Sequence, residues 1–223
     1  MTPPTVELKD ELRAAVAAAL PDGTYDDAGF ARIHELIAAL VPLTPTPSPY
    51  ATPAFVASPW RSIYSQFGPR HTAGKPTRHQ TTMNLQSFNT LPAVGIFVDD
   101  IDQEIRVADG HYNNIMTVSP LDRSLTADLI VWGRYTLSEA HPQRYTVDFY
   151  AAELRSPDGA SDDALREAFG IPAGHPLRSD LKPMKLHSDV VYCDDDIRIN
   201  FGSMGGVYIL ERLLSPGRSV SFA

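Results

Sequence analysis

Up to residue 40 the apolar positions recur every three to four residues, and from residue 60 onward they recur every second one. The change of period is a change from helix to strand. "TVELKDELRAAVAAAL" puts Leu8, Leu12, Ala15, Val16 and Ala19 on one helical face, and Pro21-Asp22-Gly23 ends the pattern. "YDDAGFARIHELIAAL" carries a second stripe of Phe30, Ile33, Leu36, Ile37 and Leu40. Asp26 or Asp27 can cap it, because a carboxylate there accepts the free N–H groups of the first turn. His34 lies beside the stripe and reads as a surface or capping residue.

Six prolines then fall between residues 42 and 59. Proline lacks the backbone donor that a helix or a central strand needs, so this stretch reads as an extended strap. Beyond it come "MNLQSF", "VGIFV", "EIRVA", "NIMTV", "LIVWGRYTL", "RYTVDFYAAEL", "DVVYC", "IRIN" and "VYILERL". These runs are short, β-branched or aromatic, and punctuated by Gly, Pro, Asp or Asn, the pattern of an antiparallel barrel or sandwich.

One hairpin can be registered in advance. Val131, Tyr135 and Leu137 share a face, as do Tyr145, Val147 and Phe149 on the returning strand. Aligning the two apolar faces pairs Leu137 with Tyr145 and Tyr135 with Val147. Arg134 then stands opposite Asp148, an outward ion pair, and Gly133 leaves space opposite Phe149. Residues 156–183 interrupt the strands with a short helix capped by Ser161, buried through Leu165, Ala168 and Phe169, and stopped by Gly170. This excursion is an ordinary surface insertion or a lid over one barrel mouth. The expected organisation is helices and strap over 1–59 and a β-domain over 60–223, forming one structural unit.

Composition narrows the function. A formal charge of −8 and a pI near 5.3 argue against a nucleic-acid or anionic-membrane surface. The single cysteine, Cys193, cannot form an internal disulfide or a thiolate zinc site. "MTPPTVELKDEL" has neither the basic and apolar look of a secretory leader nor that of a transit peptide. No apolar run reaches the ~20 residues of a membrane helix. The expectation is a cytoplasmic protein without an integral membrane segment.

Few motifs promise chemistry. "GSMGG" invites comparison with the G-x-S-x-G nucleophile elbow, but Phe201 occupies the first glycine position and a β-type run follows where a helix is needed. Ser203 is therefore expected at a hairpin tip. "CDDDI" reads as a solvated acidic turn at Asp194–Asp196. The seven histidines form no metal-binding spacing. His187, at a strand start, is the one histidine placed to do acid–base work. No metal or cofactor is implied.

"DVVYCDDDIRINFGSMGGVYIL" resembles the C-terminal signature of the plastid lipid-associated proteins, or fibrillins, through Tyr192, Asp195, Asp196, Arg198, Ile199, Gly202, Gly205 and Val207. "SPWRSIYSQFG" resembles that family's W-x-L-x-Y strand through Trp60 and Tyr64, with Ser62 in place of leucine. "VGIFVDDIDQEIRVADGHYNNIMTV" is similar to its central segment through Asn113 or Asn114. Phe201, Ser203 and Met204 depart from the family pattern, and the Ala-, Pro-, Asp- and Arg-rich composition resembles that of a bacterial member.

The resemblance implies a mainly β fold: a lipocalin-like antiparallel β-barrel with two N-terminal helices and a short helical insertion, holding a lipid, isoprenoid or quinone-like molecule. On that reading Trp60, Tyr64, Tyr135, Phe149 and Tyr192 supply apolar walls, and Arg106, Asn113, Arg198 and Asn200 supply polar contacts. The alternative is a cofactor-independent isomerase, cyclase or lyase, for which His187, Arg198, Tyr64 and Tyr192 are the catalytic candidates. The expected partner is a hydrophobic small molecule, and homo-oligomerisation is left open.

Overall fold

The computed structural model describes residues 4–20, 23–45, 48, 51, 59–66, 82–89 and 91–214. Helices α1 (Pro4–Ala17) and α2 (Asp27–Leu40) lead through a 3-10 turn at Val41–Leu43. Strands follow as β1 (Trp60–Gln66), β2 (Thr82–Asn84), β3 (Gly95–Arg106), β4 (His111–Pro120), β5 (Ala127–Leu137) and β6 (Arg144–Arg155). Helix α3 (Asp162–Phe169) then precedes β7 (Arg178–Cys193), β8 (Ile197–Gly202) and β9 (Val207–Arg212). A 3-10 turn at Leu85–Phe88 follows β2.

From β3 to β9 the chain is an antiparallel meander, and β1 inserts between β9 and β3 to close it. The result is an eight-stranded antiparallel barrel, with β2 lying along β3 outside the closed circuit. The closing seam is short: β1 meets β3 only at Trp60–Gln103 and Arg61–Asp102, and the two strands part beyond that point.

The expected hairpin register is present: Leu137 pairs with Tyr145, Tyr135 with Val147, and Gly133 with Phe149. Arg134 and Asp148 are opposite each other but form no ion pair. The Arg134 guanidinium lies 5.6 Å from the centroid of the Tyr150 ring instead. A bulge beside Gly133 brings Tyr150 within its reach. "VGIFV" and "EIRVA" are one strand, β3, bent by a bulge between Val98 and Asp100. The excursion after β6 ends at residue 177, because β7 already begins at Arg178.

Helices α1 and α2 pack on the outside of the barrel, against β1, β7, β8 and β9. Leu12, Val16, Ile33, Leu36, Ile37 and Leu40 meet Tyr64, Tyr192, Ile197, Ile199, Val207 and Ile209. Asp26 caps α2 by accepting the Gly29 N–H at 2.7 Å. His34 faces Gln66 Oε1 at 3.1 Å and the Phe30 ring.

The acidic turn is solvated at Asp195 and Asp196, as expected, but Asp194 is largely covered and the turn is tied to α1. Lys9 Nζ donates to Asp194 at 2.8 Å and to Asp196 at 2.6 Å, fastening α1 to the β7–β8 turn. The helix carries Lys9 across 185 sequence positions to these carboxylates, a contact that local pattern does not reveal. Tyr192 Oη and the backbone N–H groups of Asp196 and Ile197 also donate to Asp194. Burial pushes the Lys9 ammonium down, but its bonds to the two carboxylates outweigh that and leave it raised. Burial pushes the Asp194 carboxyl up, and the donors around it more than offset this and hold it low.

Helix α3 has the expected Ser161 cap and left-handed Gly170 stop. Its buried face, Leu165 and Phe169, joins Val118, Ala127, Leu129 and Leu154 at one rim of the barrel. Most of the proline-rich strap lies outside the described residues; within it, Thr44 Oγ1 accepts the Cys193 N–H at 3.1 Å and Ser48 Oγ donates to the Pro142 carbonyl at 3.0 Å. Among the described residues no helix is long and apolar enough to cross a membrane.

Candidate functional site

Alternation along each strand divides the side chains between the lumen and the outer face. Tyr112, Tyr145, Val147, Val190, Cys193 and Leu210 fill one end of the lumen together with Trp60 and Ile105. The other end, between β3 and β6, is packed by Ile96, Val118, Leu129 and Leu154 against α3. Between the two lies a cavity of about 750 Å³, within the size range of small-molecule sites.

The cavity has two kinds of wall. Met83, Phe88, Val98, Ile101, Met116, Val131, Phe149, Leu181 and Leu186 make an apolar side. Ser62, Ser65, Gln103, Asn114 and Tyr208 make a polar one, drawn from β1, β3, β4 and β9. Gln86, Ser87, Asn89 and Lys182 are exposed lining residues and mark the mouth. Asn89 Nδ2 donates to the Asp180 carbonyl at 2.8 Å, tying the segment after β2 to β7. No residue of α3 lines the cavity; the segment bordering it is 83–89.

Beneath the polar wall is a deck of buried groups. Trp60 on β1 stands beside Gln103 on β3 and Arg212 on β9. The guanidiniums of Arg198 and Arg212 lie 4.9 and 4.8 Å from the Trp60 ring centroid, where the negative face of the indole offsets their charge. Arg198 is fully buried and donates through Nη2 to Gln103 Oε1. Asn200 Nδ2 donates to Tyr145 Oη at 3.0 Å. Burial is the main reason why the Tyr112 and Tyr208 hydroxyls are pushed up, with Tyr145 adding to both, and why the Cys193 thiol is pushed up to about 11. At neutral pH these three groups are un-ionised.

Of the residues singled out in the sequence, Phe149 lines the cavity, and Trp60, Arg198 and Asn200 form the deck below it. Tyr135 is half-buried at the edge of the same filled end. The others lie elsewhere. A bulge between Ser62 and Tyr64 turns Ile63 and Tyr64 both outward and leaves Ser62 and Ser65 facing in. A bulge between Val190 and Tyr192 does the same for Val191 and Tyr192. Both tyrosines pack under the N-terminal helices, and burial first of all pushes their hydroxyls up.

Asn113 alternates outward from Asn114 and donates to Glu104 at 2.8 Å. Arg106 reaches Asp109 at 3.2 Å. His187 alternates outward from Leu186, and its backbone pairs with Ser203 at the hairpin tip, Ser203 N–H donating to the His187 carbonyl at 2.8 Å. The four residues proposed for proton chemistry therefore do not converge, since only Arg198 is in the lumen. Ser62, Ser65, Gln103, Met116 and Tyr208 are among the lumen residues that the pattern of the chain did not single out. For Gln103 the signal was available, as a polar residue in phase with Ile101 and Ile105.

A family model, PAP_fibrillin, matches residues 8–211. The chain belongs to the PAP/fibrillin family. No curated protein matches it. Among solved structures, one similar chain is an uncharacterized protein from Bacteroides eggerthii DSM 20697, at 13% identity over 70% of this chain and 98% of that one, with a TM-score of 0.34. The match to the PAP/fibrillin model runs from within α1 to within β9.

Proposed function

We propose that this PAP/fibrillin protein binds or carries a hydrophobic small molecule, a lipid, isoprenoid or quinone-like compound, inside its barrel. The observation that carries this reading is the 750 Å³ cavity, apolar over most of its wall and polar along one strip. Burying the apolar body of a ligand there gains roughly 25 cal/mol per Å² removed from water, and the strip fixes its orientation. Phe149 contributes wall area, and Trp60, Arg198 and Asn200 hold the deck on which the ligand rests.

Native mass spectrometry and displacement of a fluorescent apolar probe test the proposal. The wild-type protein is expected to carry a co-purifying small molecule or to take up the probe. Met116→Trp, which fills the cavity from its apolar wall, is expected to lose most of that binding with the barrel still folded. A clean apo mass together with no probe uptake by the wild type would overturn the reading.

A further inference from the structure

Two primary amides stand side by side on the polar wall. Gln103 on β3 and Asn114 on β4 are direct cross-strand partners, and both line the cavity. The oxygen of each is turned away from the ligand space. Gln103 Oε1 is held by Arg198, and Asn114 Oδ1 is buried without a hydrogen-bond partner. The amide nitrogens are the ends left toward the lumen, and among the described residues neither has a hydrogen-bond partner. The guanidinium of Arg198 polarises the Gln103 amide and strengthens its N–H as a donor.

Two neighbouring N–H donors facing the apolar side of the chamber match one oxygen acceptor. A full carboxylate fits less well: among the described residues the guanidiniums of Arg198 and Arg212 lie behind this wall, against Trp60 and Gln103, and do not line it, so no charged donor contacts the ligand there. The lining cation, Lys182, is at the mouth. A hydroxyl brings a hydrogen that neither donor can accept.

Resting on the carrier reading, we infer that the ligand is a neutral carbonyl compound, an ester, ketone or quinone, bound with its carbonyl oxygen on Gln103 Nε2 and Asn114 Nδ2. Its apolar body extends from there along Val98, Met116 and Val131 toward the mouth.

The test compares methyl laurate with tetradecane, both competing against the fluorescent probe, in the wild type and two variants. Gln103→Glu keeps an oxygen for Arg198 and replaces the lumen donor by an acceptor. Asn114→Leu removes the second donor without touching Arg198. Each variant is expected to weaken methyl laurate by roughly tenfold while leaving tetradecane within about twofold, since only the ester uses the donors. A melting curve establishes that each variant is folded.

Should both probes weaken equally in folded variants, or neither change, the head-group assignment falls while the carrier reading stands. Should the wild type bind neither probe, both fall. Laurate binding tighter than the ester and lost in Lys182→Gln would overturn the assignment in favour of an anion held at the mouth.

Discussion

The inner and outer faces of β1, β7 and β8 are built from the same short stretches of chain and do opposite work. Outward, Tyr64, Tyr192, Ile197 and Ile199 are fully buried beneath α1 and α2 in a dry packed layer. Inward, Ser62, Ser65 and Leu186 border an open chamber, while Arg198 and Asn200 form its deck. The large aromatic residues that look most like ligand walls stabilise the helix–barrel contact, and smaller polar residues face the ligand space. In this barrel, side-chain size is a guide to packing and phase is the guide to the site.

Tyr64→Ala separates the two faces most strongly. It empties a fully buried volume under Tyr25 and α2, and a loss of about 3–5 kcal/mol in denaturant unfolding is expected. Probe affinity, measured where the variant is still folded, should stay within about twofold. A large loss of affinity at intact fold would mean that the outer layer shapes the lumen, and the comparison would break.

The clamp on the outer face gives the next effect. Asp194 receives Lys9, Tyr192 and two backbone N–H groups, so Asp194→Asn is expected to cost about 1.5–3 kcal/mol near neutral pH. Because the folded Asp194 carboxyl is held below its ordinary 3.8, its contribution is complete above that value and drains away as pH falls through the folded value. Lys9 is raised above 10.5, so its share persists below that pH and is lost as pH climbs through the folded value. The stability gap between wild type and variant should therefore be flat in between and close toward acid. A gap unchanged into strong acid would remove the charge from the account.

Gly133→Ala probes the inner face. A Cβ there would meet the Tyr112 carbonyl oxygen at 2.7 Å, Phe149 Cδ1 at 3.0 Å and Val147 Cγ1 at 3.1 Å. The carbonyl belongs to a paired strand and cannot yield, so overpacking of about 1–3 kcal/mol is expected. Phe149 also lines the cavity, so this variant should shift probe affinity as well as stability, unlike Tyr64→Ala.

These contrasts show what was legible in the chain. Both helical stripes, the Ser161 and Gly170 stops and the β5–β6 register follow from periodicity, because each is decided by residues close in sequence. The facing of Tyr64 and Tyr192 was not. Trp60, Ser62 and Tyr64 are in phase for a regular strand, as are Val190 and Tyr192, and a bulge inside each stretch reverses the phase midway. A bulge is set by the partner strand and by what covers the outer face, here helices more than a hundred residues away in sequence from Tyr192. The same distance hid the Lys9 clamp within an acidic turn that reads as solvated.

Arg134 is an exposed outward residue, and it sets the lower end of the scale. Its register opposite Asp148 was predictable, yet its guanidinium lies over Tyr150. Cross-strand pairing fixes Cα positions, whereas an exposed long side chain goes where it finds the better surface, and an aromatic face competes well with a carboxylate in water. Arg134→Gln should cost about 0.5 kcal/mol, and that loss should shrink when Tyr150 is replaced by Leu in the same background. If Asp148→Asn rather than Tyr150→Leu abolishes the effect, the ion pair governs in solution and the outer face of β5 and β6 is held by charge.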